Sequence, residues 1–173
     1  MTGRGSVRRR MPATLGCGAL WIAVATAGVG LGTPHSVAGQ SDEDAVVQVV
    51  VDLFDGMRER DEAKLNGLFM EGARLMGPQR DADGNVTVRD TPIPQFIAGV
   101  MGAPADSYLD ERIYDPEVRI DGDLATVWVA YDFYVGDRFS HCGYDAFQMA
   151  RTHDGWKIFQ IADTRQQEGC PER

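Results

Sequence analysis

Between Val46 and Met57 apolar residues return at helical intervals. Val46, Val49, Val50, Leu53, Phe54 and Met57 fall at i, i+3, i+4 and i+7, and Val47 and Val51 widen the stripe. A well-covered helix is predicted over about 42–59, behind the capping box Ser41-Asp42-Glu43-Asp44. Its β-branched residues lower helix propensity, so periodicity and the cap carry this prediction. Asp61 is placed to cap a second, short helix with Leu65, Leu68 and Phe69, ended by Gly72. Arg74–Met76 and Val86–Arg89 read as short strands around a turn-rich stretch, 77–85. Thr91-Pro92 reads as cap and first residue of a third helix with Phe96, Ile97, Val100 and Met101 on its apolar side.

From Tyr108 the period changes to two. Tyr108–Asp121, Leu124–Val135, Phe139–Thr152 and Trp156–Arg165 read as four long strands. Gly122-Asp123, Gly136-Asp137 and Asp154-Gly155 supply the turns between them. Helices first and an antiparallel meander afterwards make one α+β domain, with helices covering one face of a bent sheet.

Composition adds a division. Of the 17 Lys+Arg residues, Arg4, Arg8, Arg9 and Arg10 precede residue 39, and none of the 26 Asp+Glu do. The remainder carries 13 basic against 26 acidic residues, a net of −13 where the whole chain has −9. Such a balance excludes nonspecific nucleic-acid binding, which needs basic side chains on phosphates, and argues against an anionic membrane surface. The early arginines, the uncharged stretch Ala13–Leu31 and the small-residue exit Ser36-Val37-Ala38 have the form of an export signal, residues 1–38, cut after Ala38 or Gly39. The alternative is a retained anchor, and the route, general or twin-arginine, stays open. Residues 39–173 are then one exported domain, periplasmic or secreted, without further membrane attachment.

Export leaves Cys142 and Cys170, and an even pair in an oxidising compartment reads as one disulfide; two separate buried thiols are the alternative. Asp81-Ala82-Asp83-Gly84 resembles an EF-hand opening, but Pro92 stands where the twelfth-position Glu belongs, so it is a turn. Phosphate loops and nucleophile elbows have no counterpart. His141 and His153 remain, and His153 flanks a turn, so neither a metal nor another cofactor is expected.

The order of elements and several residues resemble a known family. Asp61…Leu65…Leu68-Phe69…Ala73 is similar to the second-helix signature of the NTF2-like (SnoaL-like, cystatin-like cone) superfamily. Phe139-Ser140-His141-Cys142-Gly143…Asp145…Phe147, Asp154-Gly155-Trp156-Lys157-Ile158 and Asp163-Thr164-Arg165 look like its exported bacterial members, grouped as nuclear transport factor 2 family or lumazine-binding proteins. The resemblance implies a curved sheet wrapped round helices with an apolar pocket. It implies no single function, because the superfamily holds isomerases, dehydratases, hydrolases and non-catalytic binders.

Two-residue turns at Gly136-Asp137 and Asp154-Gly155 give a register in which Asp132 lies opposite His141 and Trp128 opposite Asp145. One face then carries Trp128, Asp132, Tyr134, His141, Asp145, Phe147 and Met149, and this mixture of apolar walls and polar groups is the expected pocket. Val127, Val129, Tyr131 and Phe133 fall on the opposite face, where a homodimer would form. A one-residue shift exchanges the matching faces. Asp132, His141 and Asp145 are the candidate catalytic residues, for general acid–base chemistry. The alternative is an Asp132–His141 ion pair with Asp145 bonded to backbone or Arg165. Trp128, Tyr134, Phe147 and Met149 are the candidate ligand-binding residues. The favoured expectation is a non-catalytic domain that binds a small, partly apolar molecule or serves assembly. The competing one is a cofactor-independent lyase, isomerase or hydrolase.

Overall fold

The stripe from Val46 to Met57 becomes the buried side of the first helix, α1 (Val37–Glu59), in a computed structural model that describes residues 37–104 and 107–171, with side chains from Asp42 onward. Val46 and Val50 are fully buried and Leu53 nearly so. The expected export signal lies outside the described residues except at Val37 and Ala38, where α1 begins. That start corrects the capping box. A cap marks where a helix can begin, and nothing in Val37-Ala38-Gly39-Gln40 forbids another turn before it. Asp42 serves the tertiary structure instead, accepting from both Arg151 Nη atoms at 3.0 and 2.8 Å.

Asp61 does cap α2 (Glu62–Leu68), its carboxylate accepting from the Lys64 amide at 2.9 Å. The chain then turns into β1 (Phe69–Arg80) and β2 (Val86–Pro92). Both run past the predicted segments, because pairing of Arg74–Arg80 with Val86–Pro92 carries β1 through Gly77-Pro78. Pro78 lies beyond Met76, the last residue of β1 paired to β6, so its missing N–H interrupts no ladder on that side. Between these strands Asp81 accepts from the amides of Asp83 and Asn85, which closes the predicted turn. Pro92 caps α3 (Ile93–Gly102), one residue later than expected.

The meander follows as β3 (Leu109–Asp121), β4 (Leu124–Val135), β5 (Arg138–Thr152) and β6 (Gly155–Asp163), close to the predicted bounds. The sheet order is β2-β1-β6-β5-β4-β3, with β1 parallel to β6 and the other pairs antiparallel. The helices cover one face of this curved mixed sheet, as in an NTF2-like α+β cone. The core joins Val46, Leu53 and Phe54 of α1 and Ile97 of α3 to Val127, Phe147, Met149 and Ile158.

Bulges set which residues face this core. In β3 the register shifts between Tyr114 and Glu117, where Asp115 (φ 49°) and Pro116 oppose one residue of β4. In β5 it shifts between His141 and Phe139, leaving Ser140 over. An extra residue bends a strand and reverses the parity beyond it.

Candidate functional site

The Ser140 bulge overturns the expected register. Asp132 pairs with Cys142, and His141 with Phe133. Odd residues of β4 therefore share a face with odd residues of β5. Val127, Val129, Tyr131 and Phe133 turn inward, where the uninterrupted register had placed them outside.

The expected set divides accordingly. His141, Asp145, Phe147 and Met149 stay inside, and Trp128, Asp132 and Tyr134 go to the outer face. Trp128 is 46% exposed and stacks on Tyr144 at 5.0 Å. Tyr134 meets Phe139 edge-on, with the Arg112 guanidinium 4.2 Å over its ring. Asp132 is buried (1% exposed) opposite Cys142 and accepts from the Tyr114 hydroxyl at 3.2 Å. Cys170 is bonded to Cys142 here, and both sulfurs lie within 4.8 Å of a carboxylate oxygen of Asp132. His153 is exposed at its turn.

Within the cone lies a cavity of about 320 Å³. Its apolar walls come from Leu53, Phe54 and Met57 of α1, Phe96 and Val100 of α3, and Phe133, Phe147 and Ile161 of the sheet. Phe54 meets Phe147 edge-on at 6.1 Å, fixing one wall. Met149 is fully buried in the core beside the cavity and pairs with Ile158.

The polar end gathers Glu111, Tyr131, His141, Asp145, Asp163, Arg89 and Arg165. Asp163 is buried and joins two guanidiniums. One oxygen takes Arg89, and the other takes Arg165 Nε at 2.6 Å. Gly77 makes room for this group, since a Cβ there would stand 2.5 Å from Asp163 Oδ1 and 2.8 Å from Arg89 Nη2. Tyr131 donates to the Thr164 carbonyl at 2.7 Å.

Glu111 and Asp145 are hydrogen-bonded to each other, which requires a proton on one of them. Burial pushes Asp145 up to about 7, and burial plus the Asp145 charge pushes Glu111 well above the usual carboxylate range. Glu111 keeps some accessible surface because it faces the cavity, but protein walls it on the other sides. His141 is driven the other way, down to about 4, by burial and then by Arg165, so it is neutral at pH 7. Its Nδ1 lies 3.0 Å from Ser140 Oγ.

This pair makes stability fall as pH rises. A carboxyl whose folded pKa is raised holds its proton more tightly when folded, so it subtracts stability between about pH 4 and 7. Asp145→Asn is therefore expected to be about 1–2 kcal/mol more stable than the parent at pH 8 and equal to it near pH 4. His141 titrates in the opposite sense, so the comparison is between the two proteins at each pH, from urea midpoints. A difference that does not change with pH would contradict the raised Asp145.

Glu111, Asp163, Arg89 and Tyr131 were not anticipated as site residues, and Arg165 only as a structural partner of Asp145. Counting back by twos from Ile120 puts Asp110 and Arg112 on the inner face. The Asp115-Pro116 bulge puts Glu111 there instead. A proline inside an otherwise regular strand was the available signal.

No match is found among curated proteins. Solved structures do share the fold. A conserved protein from Planctomyces limnophilus matches with TM-score 0.62 and 16% identity, over 73% of this chain and 99% of its own. An NTF2-like protein of unknown function from Shewanella baltica matches with TM-score 0.58 and 15% identity, over 77% of this chain and 100% of its own. A structure described as a putative dehydratase from the NTF2-like family, from Streptomyces avermitilis, matches with TM-score 0.58 and 16% identity, over 74% and 98%. The family model described as "Putative lumazine-binding" matches residues 41–161. That span holds the helices and nearly all of the sheet that enclose the cavity, ending just before Asp163 and Arg165; the chain has the NTF2-like fold and belongs to this family.

Proposed function

We propose that this is an exported domain that binds a small, largely apolar molecule inside its cone. The carrying observation is the cavity of about 320 Å³, apolar on its helix side and polar at one end, as small-molecule sites are. The Cys142–Cys170 disulfide is compatible with an oxidising compartment. Among the described residues, no helix is long and apolar enough to cross a membrane. Lumazine, named by the family description, is one planar molecule to try. Self-association, where it occurs, would use the outer face around Trp128 and Tyr144.

Gly99 offers a direct test. It lines the cavity, and a Cβ there would meet nothing within 4 Å. Gly99 is exposed at the cavity's rim, so Gly99→Trp sets an indole across the opening without forcing the core apart, and replacing a helical glycine costs no helix propensity. The neutral reporter N-phenyl-1-naphthylamine, whose fluorescence rises in apolar surroundings, should bind the parent and lose at least about tenfold in affinity with Gly99→Trp. Equal binding by both proteins would defeat the reading.

A second reading is favoured by the Glu111–Asp145 pair. A buried carboxyl near neutrality can exchange a proton with a bound substrate without a cofactor. Asp145 would act as the base, Glu111 as the group that shares its proton, and His141 as a neutral hydrogen-bonding partner. Asp132 has no part, being on the other face. Asp145→Asn would abolish turnover and leave reporter binding intact.

A further inference from the structure

We propose that the molecule held in the cone is a small organic acid, its apolar body in the cavity and its carboxylate between Arg89 and Arg165. This rests on the cavity-binding reading above and names the ligand's class.

Arg89 and Arg165 line both the inner cavity and a second, more polar cleft. They therefore stand on the boundary between the two. The charged residues of that cleft are Arg80, Arg89 and Arg165, all basic, in a chain of net charge −9. An acidic protein repels anions at a distance, so attraction at this point has to come from local guanidiniums. Asp163 takes one N–H from each of Arg89 and Arg165 and thereby aims both. A guanidinium carries five donors in a planar fork, and its partner of choice is a planar oxyanion.

The spacing of charge limits the ligand further. Asp163 offsets one guanidinium of the pair, and Arg80 adds a third positive group on the cleft side. Beside them Glu111 and Asp145, both lining the cavity and hydrogen-bonded to each other, hold a proton between them because they are buried together. A second carboxylate on the ligand would meet that pair and be repelled. The inner end instead suits a hydroxyl or carbonyl, which can bond to the protonated carboxyl. The structure thus favours a monoacid of aromatic or branched-chain size. The Gly77 contact supports a built arrangement, because any side chain at that position would push Asp163 and Arg89 apart.

The test compares 1-naphthoic acid with 1-naphthamide, the same ring system with and without the charge. Dissociation constants are measured by calorimetry at about pH 8 on the full chain, on Arg89→Gln/Arg165→Gln, and on Gly99→Trp. The acid should bind the parent about tenfold more tightly than the amide. The double variant should lose that preference and keep its amide affinity, which also shows that it is folded. Arg80→Gln, on the exposed side of the cleft, is a milder second variant and should weaken only the acid, by about threefold. Gly99→Trp should remove both probes. Equal affinities for acid and amide in the parent would overturn the organic-acid inference and leave the cavity reading standing. So would a preference that survives the double variant. Acid binding that persists in Gly99→Trp would place the anion in the outer cleft alone and overturn it too. Failure of both probes on the parent would overturn both readings together.

Discussion

Gly143→Ala is expected to cost about 3 kcal/mol or more of stability, a fall in Tm of roughly 10 °C for a domain of this size. A Cβ at this position would lie 2.0 Å from the Thr164 carbonyl oxygen, inside any tolerable contact. The obstacle cannot swing away as a side-chain end would. The carbonyl is held by the Tyr131 hydroxyl at 2.7 Å. The same residue's amide donates to the Tyr144 carbonyl at 3.0 Å, and its hydroxyl accepts from the Tyr144 amide at 3.0 Å. Relief would require peeling the segment after β6 from β5, and Arg165 would move with it. Gly67 is the control, because a Cβ there meets nothing within 4 Å and alanine favours the helix. Gly67→Ala should match or slightly exceed the parent. Thermal unfolding of the three proteins decides the matter, and a Gly143→Ala protein melting within about 2 °C of the parent would show that the segment yields easily.

The same region shows what sequence could and could not convey. Period 3.6 identified α1 because its stripe is continuous, and Val46, Val50, Leu53 and Phe54 are all buried. Asp61 was legible because a cap is a local bond, from one carboxylate to an amide three residues on. The β4 bounds were legible because Gly122-Asp123 and Gly136-Asp137 mark them. Face assignment failed because alternation has no memory of an inserted residue. Ser140 and Asp115-Pro116 each add one, and everything beyond changes sides.

That failure redistributed the chemistry. His141 and Asp145 lie on the same side of the Ser140 bulge and stayed together. Asp132 lies across it and was separated from them. Its replacement, Glu111, comes from a strand whose own bulge had hidden it. The pair of Asp163 with Arg165 is local, two residues apart, but its pair with Arg89 depends on β2 reaching the end of β6, a tertiary fact that no local pattern encodes. The extension of β1 through Gly77-Pro78 is of the same kind. Its composition reads as a turn, yet pairing with β2 and the close approach of Asp163 hold it extended.

Removing the disulfide should be the other large loss, about 3–4 kcal/mol, because the bridge closes a loop of residues 142–170 and withdraws that much chain entropy from the unfolded state. Cys142→Ala/Cys170→Ala and the reduced parent should lose similar amounts, seen as a lower urea midpoint. The fold itself should survive. The segment after β6 is also tied by backbone bonds between Cys142 and Gln166 at 2.8 and 2.9 Å, and the cone's core lies on the opposite face of the sheet. The effect should therefore be uneven. Amides near Gln166 should exchange with solvent early, whereas those in the middle of β4 should open only with global unfolding. Asp132, buried beside the bridge, should gain water once the segment around Cys170 is released. An unchanged urea midpoint in protein whose mass shows the two-proton gain of reduction would mean that the bridge constrains nothing the backbone bonds do not already hold. A midpoint that falls together with early exchange at Gln166 would assign the bridge its role: it keeps in place the segment that carries Thr164 and Arg165, and with them the polar mouth of the cavity.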